Sequence, residues 1–308
     1  MEEGSQLWNL DKVFWDNYLK GRPKVPDSFF ERIFNYHAKH SGNFENAHDA
    51  GAGPGVHSAR LAKRFGHVLL SDPAEKNIVI MRKALGENSQ FDIRHSKLED
   101  VDGIVPGSMD LVFAGVMIHF VEQPKGIESV AHQLKPGGTF ASGEFGIAFI
   151  KNPAAQRIWT QLFHQGVINV MNRFRAAGNE AMFAVLQRAA SMNGAVPLPE
   201  EYFKPGAIRL SLNHPECWSF YDEQCPPQLR HELPQIIATG PNDVLRFESE
   251  TGREFTADMT LLKIIMSTYT FDPEGEGLPE LWDELGEIVG DGSVDCAWPA
   301  ELILATRR

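Results

Sequence analysis

The chain has 308 residues, 43% of them apolar and 23% charged, with a formal net charge of −12, the balance of an ordinary globular protein. With no Lys/Arg run longer than two residues, it lacks the basic footprint that nucleic acids or an anionic membrane surface would require. No apolar run approaches the ~20 residues of a membrane span, the acidic Met1–Ser5 opening has no signal-peptide core, and Cys217, Cys225 and Cys296 show no metal-clip spacing, so a reduced, cytoplasmic protein without structural zinc is expected.

Residues 6–19 carry Leu7, Trp8, Leu10, Val13, Phe14, Trp15, Tyr18 and Leu19 at helical spacing. Gly21-Arg22-Pro23 breaks that helix. Ser28 and Glu31 then form a capping-box pattern for a second helix, buried through Phe29, Phe30, Ile33, Phe34 and Tyr36 and ending near His40. From 44 to 146, strands are expected at 45–50, 67–72, 90–95, 108–115 and 138–144, with helices at 56–65, 74–85 and 124–134. Such alternation predicts a doubly wound α/β sheet.

The first strand runs into His48-Asp49-Ala50-Gly51-Ala52-Gly53-Pro54-Gly55. Its glycines permit a tight turn and a close ligand approach, and free N–H groups open the following helix. Asp72 ends the second strand, where nucleotide-binding sheets place an acid that accepts from ribose hydroxyls. Val56 occupies the sixth position of a G-x-G-x-x-G pattern, which disfavours a NAD-dependent oxidoreductase.

Spaced as D-x-G-x-G-x-G, the loop resembles motif I of the class I S-adenosylmethionine-dependent methyltransferases. Asp72-Pro-Ala-Glu-Lys, Ser108-Met-Asp110-Leu-Val and Leu134-Lys-Pro-Gly-Gly138-Thr follow the same family's order and spacing. Tyr18-x-x-x-Arg22-Pro23-x-x-Pro26 is similar to the lead-in of the trans-aconitate methyltransferase-like branch, with Val25 in place of a tyrosine. The resemblance implies a Rossmann-like, doubly wound seven-stranded sheet, S-adenosyl-L-methionine as cofactor and a small-molecule acceptor. It places Asp49 at the methionine end and Gly51, Gly53 and Gly55 against the cofactor, with Tyr18 and Arg22 nearby under the N-terminal helices. Ser96, Lys97 and Leu98 fall beside the adenine. The family often has an acid and then a small residue there, so Lys97 and Leu98 leave recognition to backbone groups or the Ser96 hydroxyl.

Four segments result: cap helices at 1–43, the cofactor-binding core at 44–146, a lid and substrate insertion at 147–240, and 241–308 completing the sheet. Helical stripes through Ile158, Trp159, Leu162, Phe163, Val167 and Ile168 and through Met182, Phe183, Leu186 and Ala189 mark the insertion, before an aromatic, proline-rich stretch from Pro197 to Pro234. The last segment reads as a strand at 243–249, a helix at 256–269, a surface helix at 279–289 and one closing antiparallel strand at 294–306.

His119, just past the fourth strand, reads either as a catalytic base or as a histidine hydrogen-bonded beneath the cofactor. Glu144, ending the fifth strand, is the second catalytic candidate, with helix capping as its other reading. His37 and His40 lack a third ligand, and no metal is expected. Arg157, Arg173, Arg175 and Arg209 are scattered as on a solvated surface, while the aromatic lid suits an apolar metabolite. The expected activity is therefore O-methylation of a hydroxyl or carboxyl group, in natural-product biosynthesis. The competing reading is a methyltransferase-like protein that binds the cofactor structurally or runs non-methylating chemistry such as pericyclic cyclisation. Acceptor and oligomeric state stay open.

Overall fold

The computed structural model describes residues 12–213, 220–269, 271–272 and 274–308. Cys217 and positions 6–11 of the expected first helix lie outside them. In chain order the strands are β1 (Asn46–Ala50), β2 (His67–Asp72), β3 (Phe91–His95), β4 (Met109–Gly115), β5 (Leu134–Phe145), β6 (Phe149–Ile150), β7 (Ile208–Leu212), β8 (Val244–Glu248), β9 (Glu254–Ala257), β10 (Val294–Ala297) and β11 (Ala300–Thr306). The helices are α1 (Lys12–Gly21), α2 (Asp27–His40), α3 (Ser58–Leu61), α4 (Glu75–Leu85), α5 (Gln123–Gln133), α6 (Pro153–Ala176), α7 (Glu180–Ser191), α8 (Pro227–Glu232), α9 (Met259–Ser267) and α10 (Leu278–Val289).

The main sheet runs β3-β2-β1-β4-β5-β11-β7-β8. β1 to β5 are parallel, β11 is antiparallel to β5 and β7, and β7 pairs in parallel with β8. Central strands bury both faces, as parallel strands covered by helices do: Ala47, Val68, Leu70, Leu111 and Val112 are fully buried. α2 covers one face with Phe29, Phe30, Ile33 and Phe34 against Leu111, Phe113 and Ala141. α5 covers the other with Ile127 and Val130. A third apolar cluster gathers α6, α9 and α10 around Trp159, Leu262, Trp282 and Leu285, beside a small β6-β10-β9 sheet.

Four expectations are corrected. The main sheet has eight strands rather than seven. Ile208–Leu212, inside the segment read as lid, supplies β7, because β11 is apolar on both faces and needs a neighbour on its far side. The closing strand is split, with Trp298 and Pro299 carrying the chain from the small sheet into the large one. The capping box does not form: Pro26 precedes α2 without a side-chain cap, and Ser28 Oγ donates instead to Glu250 Oε1 at 2.6 Å, a buried carboxylate that needs donors.

Candidate active site

The strand order reverses between β1 and β4, and a crevice opens at their carboxyl ends. It widens into a cavity of about 710 Å³, within the roughly 300–1,000 Å³ typical of small-molecule sites.

One end is built by the glycine loop. Gly51, Gly53 and Gly55 have φ of +61°, +58° and +84°, a left-handed backbone that side chains resist. Their environments differ. A Cβ on Gly53 would meet no protein atom within 4 Å, one on Gly51 would strike the Met117 side chain at 2.8 Å, and one on Gly55 would touch Met81 at 3.4 Å behind the loop. Gly51 and Gly53 line the cavity and Gly55 does not.

Asp72 also lines it. Its Oδ2 accepts the Gly53 N–H at 2.8 Å, and its Oδ1 accepts Ala74 N–H at 2.8 Å and Asn77 Nδ2 at 3.0 Å. Burial raises this carboxyl above its ordinary range despite those donors. Asp49 lies beneath the loop rather than in the cavity. Its Oδ2 accepts Ser58 Oγ at 2.7 Å, and burial pushes its pKa up to about 7. Ser96, Lys97 and Leu98 do not reach the cavity wall either. Ser96 Oγ is buried without a partner, Lys97 points to solvent, and Leu98 packs in the core under α5.

Tyr18 and Arg22 do reach it. The Arg22 guanidinium lies 5.1 Å from the Tyr18 ring centre and 4.1 Å from that of Tyr269, and donates to the Thr268 carbonyl at 3.2 Å. Stacking of this kind ties the end of α1 to the end of α9.

Past β4, Val116 has φ +54°, rare strain for a β-branched residue and of a kind that clusters at functional sites. The following 3-10 turn, Ile118–Phe120, presents His119. Its Nδ1 lies 3.2 Å from Oε1 of Glu144 at the end of β5, both residues line the cavity, and their side chains are 13% and 5% exposed. Glu144 thus pairs with His119 and caps no described helix. Arg188 of α7 donates to the His119 carbonyl at 2.8 Å and fixes the turn.

The opposite end is apolar, walled by Phe163, Val167 and Phe174 of α6 and by Met182, Val185 and Leu186 of α7. None of the four lid arginines lines the cavity. Arg157 pairs with Glu284 at 2.7 Å and Arg175 with Glu232. Arg209, expected on the surface, is buried against Asp243 at 2.6 Å.

A family model described as a methyltransferase domain matches residues 48–142. The chain is 38% identical to Methyltransferase AacuQ of Aspergillus aculeatus, over 100% of this chain and 97% of that protein. It is 35% identical to Methyltransferase tpcM of Aspergillus fumigatus, over 100% and 96%. The chain belongs to the methyltransferase family. A solved type II methyltransferase structure from Anaeromyxobacter dehalogenans shares the fold, with TM-score 0.52 and 16% identity over 92% of this chain and 97% of that one.

Among the cavity-lining residues that escape sequence reasoning are His57, Asn77, Met117, Met192, Tyr269 and Glu301. Only Glu301 carried a signal, as the lone charge in the apolar run Trp298 to Ala305. Among the described residues, no three His, Cys, Asp or Glu side chains group to hold a metal ion, and no helix is long and apolar enough to cross a membrane.

Proposed function

We propose that this methyltransferase uses S-adenosylmethionine to methylate a hydroxyl oxygen of a small, largely apolar metabolite. The residues fit that cofactor. Open space stands beside Gly53 where a Cβ would point, and Asn77 Oδ1 and His57 Nδ1 are buried without partners at a wall of the same cavity. Polar atoms in that condition call for a ligand. When bound, S-adenosylmethionine supplies an electrophilic methyl group on a positively charged sulfur.

The observation that carries the reading is the His119–Glu144 pair. With Nδ1–H donating to Glu144, the lone pair of His119 sits on Nε2, where it can accept the acceptor hydroxyl's proton as the oxygen attacks. Glu144 holds that tautomer and stabilises the imidazolium that forms. Apolar walls from α6 and α7 position the acceptor and exclude water. A carboxylate acceptor fits less well, since the α6 and α7 walls carry no cation and the cavity's Arg22, Lys24 and Arg60 lie outside them. Relatives from Aspergillus support a place in fungal-type natural-product biosynthesis. Among the described residues, Cys225 and Cys296 are buried without a disulfide, which fits a reducing cytoplasm.

The test is incubation with methyl-labelled S-adenosylmethionine and a panel of hydroxylated aromatic compounds, following label and S-adenosylhomocysteine. Label on oxygen that falls about a hundredfold in His119→Ala, the scale of general-base loss, is expected. Binding of S-adenosylhomocysteine with no labelled product from any hydroxyl would instead favour non-methylating chemistry.

A further inference from the structure

Glu301 stands directly across the sheet from Glu144. They are Cα partners in the antiparallel β5–β11 pair, so their side chains leave the same face of the sheet about 5 Å apart, and both line the cavity. Like charges so placed repel. Glu144 has His119 as its partner. Glu301 has no ion pair among the described residues: its Oε2 accepts only the Asn193 N–H, at 3.1 Å. Arg209, the cation that acts on it, is committed to Asp243 at 2.6 Å and to the Asn193 and Val196 carbonyls at 2.7 and 2.9 Å. Burial and Glu144 push the Glu301 carboxyl up to about 7, against Asn193 and Arg209.

The turn that holds Glu301 is rigid. Asn193 is buried, its Oδ1 accepts Ser142 Oγ at 3.1 Å, and Met192 before it has φ +48°. Strain of this kind is sustained only where the surroundings over-determine it. One oxygen of Glu301 is therefore anchored, and the other is left for whatever enters the cavity.

We propose that the Glu301 carboxyl donates its O–H to a second oxygen of the acceptor, a carbonyl adjacent to the hydroxyl that His119 deprotonates, so that the acceptor class is an apolar hydroxyaryl ketone or quinone. The inference rests on the hydroxyl-methylating reading above. Glu301 stands one strand spacing from Glu144, the residue that holds His119, so the two polar groups face one cavity beside an apolar wall, an arrangement suited to neighbouring oxygens on one flat ring system. Glu301 acts as a positioning and specificity residue, while His119 takes the proton.

The test uses 1-acetyl-2-naphthol and 2-naphthol, which differ by the acetyl group that carries the adjacent carbonyl. Each is titrated into the protein saturated with S-adenosylhomocysteine. The wild type should bind the acetyl compound about tenfold tighter, the scale of one hydrogen bond to a buried polar group. Glu301→Gln, which still donates through its amide, should retain the preference, and Glu301→Met should lose it. From about pH 6 to about pH 8 the preference should fade in the wild type, as the carboxyl near 7 ionises, and stay flat in Glu301→Gln. Equal affinities in the wild type, or a preference unaltered in Glu301→Met, would overturn the proposal. A protein that fails to bind S-adenosylhomocysteine at all would instead overturn the methyltransferase reading beneath it.

Discussion

Gly53 donates its N–H to Oδ2 of Asp72 across 2.8 Å. The turn after β1 and the acid at the end of β2 are therefore one device, in which Asp72 shapes the loop as well as facing the cavity. Asp72→Ala removes acceptors for Gly53, Ala74 and Asn77 together. Affinity for S-adenosylhomocysteine should weaken by about 1.5–3 kcal/mol, and Tm should fall with it. Calorimetric titration and a melting curve check both; affinity lost at unchanged Tm would mean that Asp72 only contacts ligand.

At Gly53 the two effects separate. A Cβ there meets no protein atom, so Gly53→Val costs folding mainly the left-handed backbone, roughly 1–2 kcal/mol, while it fills the space where ligand approaches. The variant should fold and show no heat with S-adenosylhomocysteine. Titration at wild-type affinity would move the cofactor away from this loop.

The parts of the site legible in the sequence are those made by local spacing. The glycine loop, Asp72 and the His119 turn each lie within a few residues of a strand end, so a strand–turn–helix rhythm places them. Met192, Tyr269 and Glu301 converge on the same cavity from about 70 to 180 residues beyond His119, which no local pattern encodes. Ser28 shows the same limit inside one helix. Its capping pattern is intact, but a carboxylate 222 residues away takes its hydroxyl. β7 was hidden because five residues, Ile208–Leu212, carry too little periodicity to stand out from the loops around them.

Asp49 and His48 give opposite pH dependences. Burial raises Asp49 to about 7 in the folded chain, against about 3.9 unfolded. The folded state binds the proton more tightly, so this stabilisation is full below about pH 4 and is lost as pH rises through about 7. Burial lowers His48 to about 4, against about 6.5 unfolded, so its neutral, hydrogen-bonded form loses stability as pH falls from 6.5 through 4. In Asp49→Asn the first slope should vanish and the second persist. Melting temperatures taken at intervals across that range, as differences from wild type, check it; parallel curves would mean that Asp49 ionises freely.

Glu144→Gln keeps an acceptor for His119 Nδ1 but removes the charge that stabilises the imidazolium. Turnover on a hydroxyl acceptor should drop about tenfold, the difference between a charged and a neutral hydrogen bond, with little change in KM. Because the two residues act as a unit, adding His119→Ala should cost little beyond His119→Ala alone. Fully additive losses would show that Glu144 acts independently of the histidine.

The lid is expected to be more mobile than the sheet, and the structure divides that expectation between two helices. α6 buries Ile158, Trp159 and Leu162 completely in the third apolar cluster. α7 has Ser191 as its one buried residue, and Met182, Val185, Leu186 and Ala189 stay half-buried toward the cavity. Few buried contacts mean a low free energy of local opening. Amides of α7 should therefore exchange much faster than those in the middle of α6. An apolar acceptor would cover the exposed face of α7, and Arg188 ties that helix to the His119 turn at 2.8 Å, so occupying the site should slow exchange in 180–191 and 118–120 together. Hydrogen exchange with S-adenosylhomocysteine alone, and again with a bound naphthol, measures this. Equal protection of α6 and α7 without ligand, or protection of α7 without the His119 turn, would show that α7 is not the moving wall of the acceptor pocket.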